Sequence, residues 1–133
     1  MNSIAPRLGR TLLLIASAAL FYDAGMQLQS APPMMAAMKH IGYPPDFGPT
    51  LSLLTFTCAL LLALPATSFA GAVLMTGFLG GAVAVHVPAS GFGAPPQIVC
   101  LAIGIAAWTG LFLAEPRLAA IIDPRQRRPD SNR

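Results

Sequence analysis

From Thr11 to Ala114 the chain carries only three residues charged at neutral pH, Asp23, Lys39 and Asp46, joined by two histidines, His40 and His86. A water-soluble domain covers its surface with charge, at about a quarter of its residues. Here 10% of residues are charged and 55% hydrophobic, and most of the charges stand in the two tails. So long an uncharged interval cannot face water, but it can face lipid. The 133 residues suffice for one domain.

Four apolar stretches divide the interval: Thr11–Gln29, Thr50–Leu64, Phe69–Val87 and Ile98–Ala114. Each comes near the ~17–25 residues that span hydrocarbon. The second is the shortest and must extend through Gly48 or Pro65 to reach that length. Pro44, Pro45 and Pro49 bracket its start, where a proline in the first turn costs no backbone hydrogen bond. Pro65 ends it, and Ala66–Ser68 leave room for a tight turn, so the second and third helices form an antiparallel hairpin. Pro88–Pro96 is rich in glycine and proline and reads as a loop close to the membrane surface.

The connection Ser30–Phe47 places Met34, Met35, Met38 and Ile41 on one face of a short helix, with Lys39 and His40 beside them. Such a helix lies in the interface with its apolar face down. Without a spaced Cys or His partner, the methionines read as packing and not as a copper site. The expected fold is all-α: a polytopic four-transmembrane-helix bundle with a short interfacial helix between helices one and two. Residues 1–10 form an N-terminal tail, 11–115 the membrane domain and 116–133 a basic C-terminal tail.

Loop charge sets the orientation. With four spans, Arg7, Arg10, Arg117, Arg125, Arg127, Arg128 and Arg133 fall on one side, and Lys39 alone on the other. The positive-inside rule puts both termini in the cytoplasm. The tail arginines, broken up by Pro124 and Pro129, read as a topology signal touching anionic lipid head groups. Neither zinc-ligand spacing nor a basic platform with aromatics points to nucleic acid. A competing reading takes Arg7, Arg10 and the apolar Thr11–Leu20, with small residues Ala16, Ser17 and Ala18, as a cleaved signal peptide. That would leave three helices, but hydrophobicity resumes through Phe21, Tyr22, Met26 and Leu28.

A polar group inside a span costs about 2.5–3.5 kcal/mol when it is ionisable, so Asp23 is a candidate for function. Gln27 follows at i+4 on the same face. His86 stands near the outer end of the third span, which runs parallel to the first. Asp23, Gln27 and His86 are therefore expected to converge in the outer half, with Thr55, and also Thr57 and Thr76, lining the interior. In the sharper version Asp23 accepts protons that His86 relays; in the blander one Asp23 bonds to helix neighbours and His86 anchors at the head groups. Gly77, Gly80 and Gly81 supply a GxxxG pattern for helix packing, within the bundle or in a homo-oligomer. Cys58 and Cys100 stand alone and read as small apolar residues. The sequence has no nucleophile–base pair, phosphate loop or haem histidine pair, so no cofactor is evident and no enzyme chemistry can be named.

Several segments together resemble the DoxX-like family of small bacterial membrane proteins. They are Phe21-Tyr22-Asp23 with Met26 and Leu28, Ile41-Gly42-Tyr43-Pro44, Cys58-Ala59-Leu60-Leu61, and Gly71-Ala72-Val73-Leu74 followed by Thr76–Ala82 and His86. Trp108 and Glu115-Pro116-Arg117-Leu118 complete the likeness, which runs from about Phe21 to Pro124. The resemblance implies a four-helix bundle in the bacterial inner membrane and a link to quinone- or thiol-linked redox complexes; most relatives have no assigned reaction. Asp23 and His86 match the family pattern. Gln27 replaces a common lysine or histidine, Thr55 a common glutamate, and Pro88 follows where an arginine is frequent.

Overall fold

The computed structural model describes residues 4–118. The arginines from Arg125 onward, and most of the tail assigned to 116–133, lie outside the described residues. Among the described residues all regular structure is helical. Helix α1 spans Ile4–Leu28 and so begins seven residues before the expected start at Thr11. Ala5, Arg7, Leu8 and Arg10 in its first turns are good helix formers, and Pro6 falls where no intrahelical N–H partner is needed. Arg7 and Arg10 therefore ride on the helix.

The chain leaves α1 through Ser30, whose φ of 48° is left-handed. The Ser30 N–H donates to Gln27 and that of Ala31 to Met26, at 3.2 and 3.1 Å, the two bonds of a Schellman cap. Helix α2, Pro32–His40, starts on two prolines and ends on the same device. Gly42 (φ 76°) supplies the left-handed residue, and the Gly42 and Tyr43 N–H groups donate to Lys39 and Met38 at 3.2 and 2.9 Å. A 3₁₀ turn, Pro45–Phe47, leads into α3, Gly48–Ala63. After a short turn come α4, Ser68–Ser90, and α5, Pro95–Ala114.

Two boundaries correct the expectation of a loop over Pro88–Pro96. Pro88 sits inside α4, two residues before its last residue Ser90, and its missing N–H forfeits a single bond. Pro95 and Pro96 occupy the first turn of α5, where prolines cost nothing. Only Gly91–Ala94 remain as connection.

Helix α1 packs against α3 and α5, and α4 packs against the same two. The four helices thus form a ring with α1 and α4 on a diagonal. The α1–α3 seam is heptad-spaced: Leu13, Ser17, Leu20, Ala24 and Gln27 are buried on one helix, and Gly48, Ser52, Thr55, Ala59 and Leu62 on the other. Alternating steps of three and four residues keep two helices in contact along a shallow left-handed crossing. Two hydrogen bonds cross this seam reciprocally. Ser17 Oγ donates to the Ala59 carbonyl at 2.5 Å, and Ser52 Oγ to the Ala24 carbonyl at 2.8 Å. At one end Arg10 reaches across to the carbonyl of Ala63, one of the acceptors that the end of α3 leaves without an intrahelical partner.

Close approach elsewhere depends on Gly9, Gly71 and Gly110. A Cβ on Gly71 would stand 2.7 Å from the Leu61 carbonyl carbon and 2.8 Å from Leu62 Cα. One on Gly110 would stand 2.8 Å from the Gly9 carbonyl oxygen. Gly77, Gly80 and Gly81 behave differently, since a Cβ on any of them meets nothing within 4 Å. These three glycines, expected as helix-packing residues, lie on the exposed side of α4, whereas the helix buries Ser68, Gly71, Ala72, Met75 and Leu79.

Three helices, α1, α4 and α5, are long and apolar enough to cross a membrane. Helix α3, at 16 residues, rises about 24 Å. It is apolar throughout but shorter than the hydrocarbon core of about 30 Å.

Candidate functional site

Three of the four residues expected to form a polar pocket are brought together by the α1–α3 seam. Asp23 and Gln27 are one turn apart on α1, and Gln27 Nε2–H donates to Asp23 Oδ2 at 2.5 Å. Thr55 reaches the same amide from α3, its Oγ1 lying 3.3 Å from Gln27 Oε1 while bonding more closely, at 2.9 Å, to the Leu51 carbonyl. Gln27 and Thr55 are 5% and 0% exposed, whereas Asp23 is only half-buried. The amide is therefore a two-sided clamp. Its N–H₂ donates to the Asp23 carboxyl group and its carbonyl lies beside the Thr55 hydroxyl, whose single proton goes chiefly to the nearer Leu51 carbonyl, so polar groups costly to leave alone in hydrocarbon are kept together.

The third side of Asp23 faces α5. Gly9 of α1 abuts Ala114 of α5, and the helices are antiparallel, so two heptads along α1 bring Asp23 level with Cys100. Phe21 and Phe56 meet edge to face across the α1–α3 seam, with centroids 5.2 Å apart.

His86 does not join this chain of bonds. Its helix, α4, is diagonal to α1, and its Nδ1 lies 2.7 Å from the Ala82 carbonyl one turn back. A carbonyl can only accept, so Nδ1 carries a proton in that bond and a neutral ring leaves Nε2 as the acceptor. The expected convergence of His86 on Asp23 assumed neighbouring parallel helices, which the ring arrangement does not provide. Thr57 and Thr76 bond back to the carbonyls of Leu53 and Ala72, at 2.8 and 2.7 Å. Backbone bonding of this kind is the usual state of a threonine in an apolar helix. Thr76 also accepts the Trp108 indole N–H at 2.9 Å, tying α4 to α5.

Some polar positions had gone unnoticed in the sequence. Gln97, 4% exposed, staples the connection before it: its Nε2–H₂ donates to the Gly91 carbonyl at 2.6 Å, and its Oε1 accepts the Gly93 N–H at 2.9 Å. Gly91 and Gly93, at φ 73° and 83°, take the left-handed backbone that the staple requires. His40 Nε2 and Ser90 Oγ, 3.1 Å apart, join α2 to the end of α4. A heptad reading of the first two spans would have flagged Ser17 and Ser52. Gln97 gives no periodic signal.

Two open grooves lie away from Asp23. One, of about 420 Å³, runs along α3 between Phe47, Leu51, Leu54 and Thr57. The other, of about 720 Å³, lies between α2 and the Gly42–Pro44 segment. Among the described residues no group of three His, Cys, Asp or Glu side chains is placed to hold a metal ion.

No curated protein and no solved structure matches the chain. The model of the DoxX-like family matches residues 11–109, an interval that takes in the Asp23–Gln27–Thr55 clamp, α2, α3, α4 and most of α5. Together with its apolar helices, this match makes the chain a multi-pass membrane protein that belongs to the DoxX-like family.

Proposed function

We propose that the protein is an accessory subunit that binds a partner inside the bilayer, crossing it four times with both termini in the cytoplasm. The partner belongs to a quinone- or thiol-linked redox complex, an attribution that rests on family analogy. The observation that carries the partner-binding reading is the bare face of α4, where Val73, Gly77, Gly80, Gly81 and Ala84 are exposed and the glycines meet nothing. Lipid supplies no hydrophobic force between helices, so a face of small residues gains most from a second helix approaching closely. The interior supports the same reading, because the amide of Gln27 and the ring Nδ1 of His86 are already bonded within the chain. The four-pass topology is supported by α3, which packs along α1 from Gly48 to the Arg10–Ala63 contact and turns directly into α4. Purification of the tagged protein from its native membrane tests the proposal. A flavin, haem or quinone enzyme should accompany the native chain and be lost from Gly77→Leu and Gly81→Leu, both still inserted. A preparation carrying neither such an enzyme nor quinone would sink it.

A second reading, a small proton-coupled carrier, draws on one observation. Beyond Leu79 no residue of α4 is fully buried, and between Gln97 and Ala107 none of α5 is. The half-buried Asp23 therefore borders the loosest part of the bundle. Proton-linked flux in liposomes that disappears in Asp23→Asn supports this reading; equal flux in the mutant, or none in the native protein, removes it.

A further inference from the structure

We propose that the groove between α2 and the Gly42–Pro44 segment binds one anionic phospholipid. Its walls are Met35, Met38, Lys39, Tyr43 and Pro44, around a volume of about 720 Å³. The Schellman cap of α2 builds it: Gly42 turns the chain back, and the Tyr43 N–H bonds to Met38, which sets the Tyr43 ring beside the last turn of α2. Phe47 supports that ring from the other side, with centroids 5.3 Å apart. Met38, 3% exposed, roots the helix, and Lys39 is exposed beside it.

The chemistry of the lining selects the occupant. Lys39 is the only lysine or arginine between Arg10 and Arg117, so it is the one strong electrostatic attraction this end of the bundle offers an anion. The Tyr43 phenol is a hydrogen-bond donor within the same groove. Methionine and proline give the remainder an apolar surface that adapts its shape to flexible chains. A free phosphate ion would use the lysine and gain nothing from the apolar walls. A phospholipid uses both, its phosphate at Lys39 and Tyr43 and the first carbons of an acyl chain along Met35, Met38 and Pro44. A helix lying between two helix ends stands at head-group depth, where such a molecule is at hand. The site rests on the topology proposed above only for its assignment to the outer leaflet.

Native mass spectrometry of the full chain in mild detergent, titrated with dioleoylphosphatidylglycerol or dioleoylphosphatidylcholine, tests the proposal. One basic side chain near head groups predicts about a five-fold tighter first association of the anionic lipid. Lys39→Gln should remove that preference, Lys39→Arg and Arg117→Gln should keep it, and excess inorganic phosphate should not displace the lipid. Equal binding of the two lipids by the native chain overturns the site, as does a preference that survives Lys39→Gln or yields to phosphate. Lys39 is exposed, so its variants leave the core untouched. Maleimide labelling of Ala37→Cys from the cytoplasmic side would overturn the topology and the leaflet, whereas the detergent titration reads the site independently of sidedness.

Discussion

Alanine at two kinds of glycine in the same helix should move stability in opposite directions. At Gly71 the new methyl would stand 2.7 and 2.8 Å from backbone atoms of Leu61 and Leu62. Ordinary contact needs about 3.5 Å and the Leu62 backbone nitrogen is nearer still, so α3 and α4 must part by roughly 1 Å where the four-residue turn Leu64–Thr67 holds them together. Backbone cannot swing aside as a side chain can, and overpacking of this kind costs about 1–3 kcal/mol. Exchanging glycine for alanine within a helix returns up to about 1 kcal/mol, leaving a net loss of up to about 2 kcal/mol. At Gly77 or Gly80 nothing lies within 4 Å, so only the helix gain remains, about 0.5–1 kcal/mol. The difference between the two sites, about 2 kcal/mol, is firmer than either value because host and method cancel. Steric-trap or SDS unfolding of the monomer in bicelles, with helicity followed by circular dichroism, measures it. Gly71→Ala unfolding no more readily than Gly77→Ala would refute the assignment of these glycines to inner and outer faces.

Two further outcomes follow from side chains that bond across the structure. Ser17→Ala and Ser52→Ala should each cost about 0.5–1 kcal/mol in the same unfolding assay, near the average for interhelical hydrogen bonds in membranes. The double variant should show the sum, because the two bonds share no atoms; strong coupling would mean that the α1–α3 seam yields as a unit. Gln97→Leu deprives the Gly93 N–H and Gly91 carbonyl of their partner, so amide exchange at Gly93 should accelerate at least ten-fold while the helices stay protected. Unchanged exchange there would show that the loop holds its own shape.

Most of the helices could be read from the sequence because hydrocarbon leaves the backbone little choice. An apolar run must bond internally, and its length is set by the membrane. The misread boundaries lie where that constraint lapses. Arg7 and Arg10 look like tail by charge but belong to α1, since a helix can project past the bilayer and an arginine there can bond to the end of α3. Pro88 looks like a breaker but falls where a helix has one bond to lose. The clamp was partly legible: Asp23 and Gln27 share a face by spacing alone, and Thr55 joined them as an expected lining residue. His86 could not be placed, because helix order around a ring is decided by which glycines permit approach. Gly71 and Gly77 are the same letter in the same helix, and only their surroundings tell them apart.

The reciprocal serines of the α1–α3 seam bear on how the bundle finds a single alignment. A repeat of seven fits its partner equally well after a slip of seven residues. In lipid such a slip exposes no apolar surface to water, so the usual penalty is missing. Moved one way, Ser17 would face Ser52 and both alanine carbonyls would lose their donors. Moved the other way, Ala24 would face Ala59 and neither serine would find its present acceptor. Only the observed alignment satisfies both at once. Two hydroxyl groups, each a modest contribution to stability, thus act as a registration mark that allows a greasy and repetitive pair of helices to stop in one place.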